Sequence, residues 1–104
     1  MEFNPADSQL RINVAASGDT ALVTAATGKR TRVHALRLSA AGAVVVQIKD
    51  GSTVLETFNF PAAGTMPPLE LRHAPYYTGT TNTVLNINLS GAVQVDGRLE
   101  YTVA

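Results

Sequence analysis

The side chains that usually do chemistry are scarce in this chain, and their spacing limits what they can do. It has two histidines, His34 and His73, thirty-nine positions apart, and no cysteine. Metal motifs place ligands in close pairs, so neither histidine announces a site, and structural or surface roles are expected for both. A His/His/carboxylate site gathered from distant parts of the chain is all that the spacing leaves open. Ala26-Thr27-Gly28-Lys29-Arg30 looks faintly like a phosphate-binding loop, but it lacks the earlier glycine, the Ser/Thr after the lysine and a following helix. The serines have no nucleophile-elbow context, and neither histidine has triad spacing. No pair among the eight carboxylates is marked out for glycoside hydrolysis. Asn88-Leu89-Ser90 fits the glycosylation triplet, a chance match if the product is intracellular. The expectation is a protein that is not an enzyme and needs no cofactor.

Arginine gives a different signal. On an extended chain Arg30, Arg32 and His34 share one face, with Lys29 and Arg37 on the other. A basic strip suits phosphates, but the net charge is zero, and non-specific nucleic acid binding depends on neutralising several phosphates. Nucleic acid is therefore disfavoured as a partner. Carboxylates on a neighbouring subunit fit the guanidinium fork better.

Strands must position these residues. Leu85, Ile87 and Leu89 alternate with Asn86, Asn88 and Ser90, and Val93, Val95, Gly97, Leu99, Tyr101 and Val103 alternate with polar residues. This is the period of half-buried strands. If the two segments form a hairpin, Leu89 faces Val93 across a three-residue loop of Ser90, Gly91 and Ala92, because a one-residue slip would turn the apolar set outward. The alternative is an arch between two sheets. Upstream, Gln9–Ala15, Thr20–Ala25, Lys29–Ala40, Ala43–Lys49 and Ser52–Phe60 read as strands, with Asp50-Gly51 a strong hairpin signal between the last two. The third strand breaks phase. Val33 and Ala35 share one face but Leu36 and Leu38 the other, so either both faces are buried or a bulge follows Ala35. Leu55 is likewise out of phase with Phe58 and Phe60.

Residues 61–82 carry four of the five prolines and little periodicity. Leu69-Glu70-Leu71 fits a short strand, with Pro67 and Pro68 barring a ladder just before it. A loop of this length is uncommon unless functional or docked. The sum is an all-β, single-domain antiparallel β-sandwich or jelly roll of seven or eight short strands over residues 9–104. An N-terminal arm, flexible or docking, precedes it at residues 1–8.

Composition points outward. Charged residues make up 15% of the 104 positions, against about 25% in ordinary domains. Lys29 and Lys49 are the only lysines. So uncharged a surface gains little from self-repulsion, and it is expected to be covered by copies of itself or by a partner. No apolar run approaches the roughly 20 residues of a membrane helix, and the acidic, proline-containing start is unlike a secretory signal. The sequence predicts an intracellular, soluble product with no membrane partner.

The run from Ser17-Gly18-Asp19-Thr20 through Gly28-Lys29-Arg30 to the valine-rich strand closed by Lys49-Asp50-Gly51 resembles small proteins encoded among tailed-bacteriophage virion genes. So do Ala74-Pro75-Tyr76-Tyr77 and the ending from Leu85 to Tyr101. The likeness spans roughly residues 17–103 and rests on fold-forming features. It implies a capsid decoration (cement) protein or similar virion accessory subunit, β-rich, trimeric, and bound to the major capsid protein or another virion protein. No active residues carry over. Candidate contact residues are Asn4 and Pro5 in the arm, Arg30, Arg32 and Arg37, and Met66, Pro67, Leu69, Tyr76 and Tyr77 in the long loop, tyrosine being suited to interfaces. Plugging the domain's own core is the competing role for the two tyrosines. The other reading is a tail or fibre module that binds glycans through Tyr76, Tyr77, Asn82, Asn86 and Asn88. A head–tail or tail subunit is structurally close to the first.

Overall fold

Alternation along the chain becomes two sheets packed face to face. The computed structural model describes residues 8–65, 69–70 and 77–104, so the expected arm lies outside it apart from Ser8. The strands are β1 (Ser8–Val14), β2 (Gly18–Val23), β3 (Thr31–Ala40), β4 (Val44–Asp50), β5 (Thr53–Phe60), β6 (Gly64–Thr65), β7 (Leu69–Glu70), β8 (Tyr77–Thr78), β9 (Leu85–Leu89) and β10 (Val95–Val103). No helix occurs among the described residues. Among the described residues there are ten strands where seven or eight are expected, because β6 and β8, of two residues each, carry no readable period.

The first sheet runs β1-β10-β3, and the far edge of β3 pairs in turn with β6, β7 and β8. The second runs β2-β9-β4-β5. All pairings are antiparallel, and the fold is a β-sandwich. The described parts of the proline-rich segment are thus docked: they pair with β3 at Ala40, Leu36 and Val33 in succession.

The ending is an arch, not a hairpin. Leu89 pairs with Gly18 and Val46 in the second sheet, and Val95 pairs with Val14 and Ala40 in the first. Hairpin and arch both keep the apolar set on one side, because the inner faces of a sandwich look at each other. Specific bonds hold the feet of the arch apart. The Ser90 amide donates to the Val45 carbonyl at 3.0 Å, and the Val45 amide donates to the Ser90 hydroxyl at 2.9 Å. On the other side the Ala41 amide donates to the Gln94 carbonyl at 2.9 Å.

Between the sheets lie Ile12, Val14, Val33, Leu36, Leu38, Ala40, Val95 and Leu99 from one side. Val23, Val44, Val46, Ile48, Phe60, Leu85, Ile87 and Leu89 come from the other. Burying each Val, Leu, Ile or Phe side chain among these contributes roughly 1.5–3 kcal/mol. The phase breaks are bulges. Glu100 pairs with Ala35 and Tyr101 with Val33, so His34 is the extra residue, one position earlier than expected. Ile48 pairs with Glu56 and Lys49 with Val54, which leaves Leu55 unpaired. The Asp50-Gly51 turn forms as read, with Gly51 at φ 62°.

One end of the sandwich is tied by a carboxylate. Asp50 is buried, and its Oδ2 accepts from the Thr80 amide at 3.0 Å and the Thr80 hydroxyl at 2.8 Å. A Cβ at Gly79 would crowd Asp50 Oδ1 at 2.7 Å, so the turn approaches the acid only because that side chain is absent.

Candidate interaction surface

The bulge at His34 rewrites the basic strip. Thr31 and Val33 point inward before it, and Leu36, Leu38 and Ala40 point inward after it. Arg32 and Arg37 therefore lie on the same outer face of the first sheet, not on opposite faces. His34 leaves the set: it is buried, with Nε2 3.1 Å from Thr102 Oγ1. Arg30 lies before the strand. Its amide donates to the Ala104 carbonyl at 2.8 Å and its guanidinium to the Thr81 hydroxyl at 3.3 Å. Lys29 is exposed in the turn beside it.

A different set of arginines gathers instead. Arg11 on β1 pairs across with Arg98 on β10, and Arg98 pairs with Arg37 on β3. Their inward-facing neighbours Ile12, Gly97 and Leu38 occupy the adjacent register position, so all three arginines face out, and all are exposed. With Ser39, Thr65 and Asp96 they line one groove of about 240 Å³. Arg98 donates to Gln9 Oε1 at 2.7 Å. Arg11 lies 3.7 Å from Asp96, with the two side chains 74% and 44% exposed, a geometry worth under about 1 kcal/mol. Gly97 lets β10 come close to β3, since a Cβ there would overlap the Arg37 carbonyl. Arg11 and Arg98 escaped the sequence reading because outward arginines on strands far apart in the chain become neighbours only once strand order is known.

The other predicted contact residues that the structure describes do not converge on this row. Leu69 pairs with Leu36, and Tyr77 with Val33, both at the far edge of β3. Asn4, Pro5, Met66, Pro67, Tyr76 and His73 lie outside the described residues. The glycan constellation is also divided. Tyr77 belongs to the first sheet, whereas Asn86 and Asn88 are on β9 of the second. Asn86 donates to the Gly51 carbonyl at 3.1 Å, and Asn88 to Asp19 Oδ1 at 2.6 Å. Asn82, at φ 63°, accepts from the Gly28 amide at 2.5 Å. These amides are engaged within the chain. Asp19 also receives Lys49 Nζ at 3.2 Å. The Asn88 hydrogen bond first, and the Lys49 contact second, hold its carboxyl below the usual carboxylate range.

Among the described residues, no three histidine, aspartate or glutamate side chains come together as metal ligands would. What the surface offers is charge, hydroxyls and an open strand edge. Neither the family models nor the curated proteins compared with the chain match it.

Proposed function

We propose that this chain is a non-enzymatic structural subunit of a phage virion, a capsid decoration (cement) protein that assembles with itself as a trimer and clamps the finished shell. The observation that carries the reading is the edge of the second sheet. β5 is eight residues long and pairs with β4; among the described residues no strand covers its other side. Edge strands are ordinarily guarded by lysines, prolines or bulges. This one has a bulge at Leu55 and a single charge, Glu56, yet leaves Val54 45% exposed. It runs on into a groove of about 500 Å³ lined by Phe58, Phe60, Pro61 and Ala62. An edge of this kind suits another copy of the chain, and the 15% charge content supports the same reading.

A clamp that binds the assembled shell and not its dissociated parts stabilises the shell by mass action. The test is co-sedimentation with purified shells stripped of accessory proteins, followed by heating. The protein is expected to pellet with the shells and to raise the temperature at which they open. A protein that stays in the supernatant and leaves that temperature unchanged contradicts the reading.

A further inference from the structure

The row Arg11–Arg98–Arg37 is costly as it stands. Cross-strand partners on one face have Cβ atoms about 4.5–5.5 Å apart, and like charges placed there repel. The three span two strand spacings, on the order of 10 Å. Internal compensation is slight: one glutamine for Arg98, one long contact to Asp96 for Arg11, and no hydrogen bond or ion pair for Arg37 among the described residues. Above and below the row the sign changes. Asp96 occupies the next outward position of β10 on one side, between Asn13 and Ser39. Glu100 occupies it on the other, between Gln9 and Ala35. The outer face of β10 therefore reads acid, base, acid at intervals of about 7 Å.

That pattern selects the partner. A nucleic acid backbone presents a continuous line of negative charge, and its affinity grows with the number of phosphates neutralised. Here it would meet three cations and then a carboxylate within one row in either strand direction. A folded protein surface has no such uniformity. It can set carboxylates over the arginines, where each guanidinium fork donates two parallel hydrogen bonds to a carboxylate, and cations or amide donors over Asp96 and Glu100. Mixed-sign matching of this kind fixes register and suppresses wrong partners.

We propose that the Arg11–Arg98–Arg37 row on the outer face of the first sheet is a docking site for a carboxylate cluster on a partner protein, with Asp96 and Glu100 setting the register. This goes beyond the adhesive reading above, which places self-association at the β5 edge of the other sheet. The test follows the arginine Nε–H signals of the full chain by NMR during titration with two probes. One is a synthetic peptide of three glutamates flanked by lysines; the other is an oligothymidylate. The peptide is expected to move the signals of Arg11, Arg37 and Arg98, and to bind at least about tenfold more weakly to an Arg37→Gln, Arg98→Gln double variant, as loss of a charge-assisted hydrogen bond implies. Arg37→Gln alone is expected to keep or raise the melting temperature, because it relieves repulsion. Signals unmoved by the peptide, tighter binding of the oligothymidylate at the row, or a lowered melting temperature for Arg37→Gln would each overturn the proposal. No shell enters this experiment, so a protein that takes the peptide but ignores shells loses the virion reading and keeps this one.

Discussion

His34 Nε2 and Thr102 Oγ1 lie 3.1 Å apart in the interior, joining β3 to β10 where β3 carries its extra residue. The bond matters beyond its own strength, because the bulge sets which side of the first sheet every later residue of β3 occupies. Thr102→Val keeps the shape and removes the hydroxyl, leaving a buried ring nitrogen without its partner. The expected cost is about 1–3 kcal/mol, read as a lower urea midpoint with an unchanged slope. An unchanged midpoint would mean the pair is incidental.

Asp50 gathers one end of the sandwich through both polar groups of Thr80. Asp50→Ala leaves those donors unsatisfied and is expected to cost roughly 2–3 kcal/mol. Asp50→Asn, which retains an acceptor oxygen, is expected to cost less. Equal losses in thermal denaturation would argue that the carboxylate's charge, and not its acceptor geometry, holds the turn.

Gly97 is required by close approach and not by backbone conformation. Gly97→Ala forces a methyl group against the Arg37 carbonyl, and strain of this kind typically costs about 1–3 kcal/mol. Hydrogen exchange is the sensitive readout: amides of β3 and β10 around residues 37 and 97 should exchange faster. Exchange unchanged there would contradict the close contact.

The pH dependence of Asp19 has a definite sign. Its carboxyl is depressed in the folded chain by Asn88 and then Lys49, so the contribution is present above the unfolded pKa and is lost as pH falls through the folded one. An NMR titration of the Asp19 carboxyl should give a midpoint below that of an unfolded peptide. Asn88→Ala should raise it more than Lys49→Gln does. A midpoint indifferent to Asn88 would remove the assigned cause.

Much of this architecture is legible in the sequence because alternation reports burial directly. The core faces of β4 and β9 follow it residue by residue, and Asp50-Gly51 marks the one sequential hairpin of long strands among the described residues. Alternation says nothing, however, about which strands are neighbours. Leu89 and Val93 have the parity of hairpin partners, yet Ser90 and Gln94 anchor them to different sheets. The same gap hid the arginine row. Arg37 is visible on its own strand, but its face follows only once the bulge, one of two explanations of the phase break, is known to be there, and Arg11 and Arg98 join it only through non-local pairing.

The most direct measurement of the central claim is the molar mass of the purified chain by light scattering up to high micromolar concentration. An adhesive body with an open β5 edge is expected to show a mass well above the 10.9 kDa of one chain, at the value of a trimer. A mass that stays at one chain throughout the concentration series contradicts it.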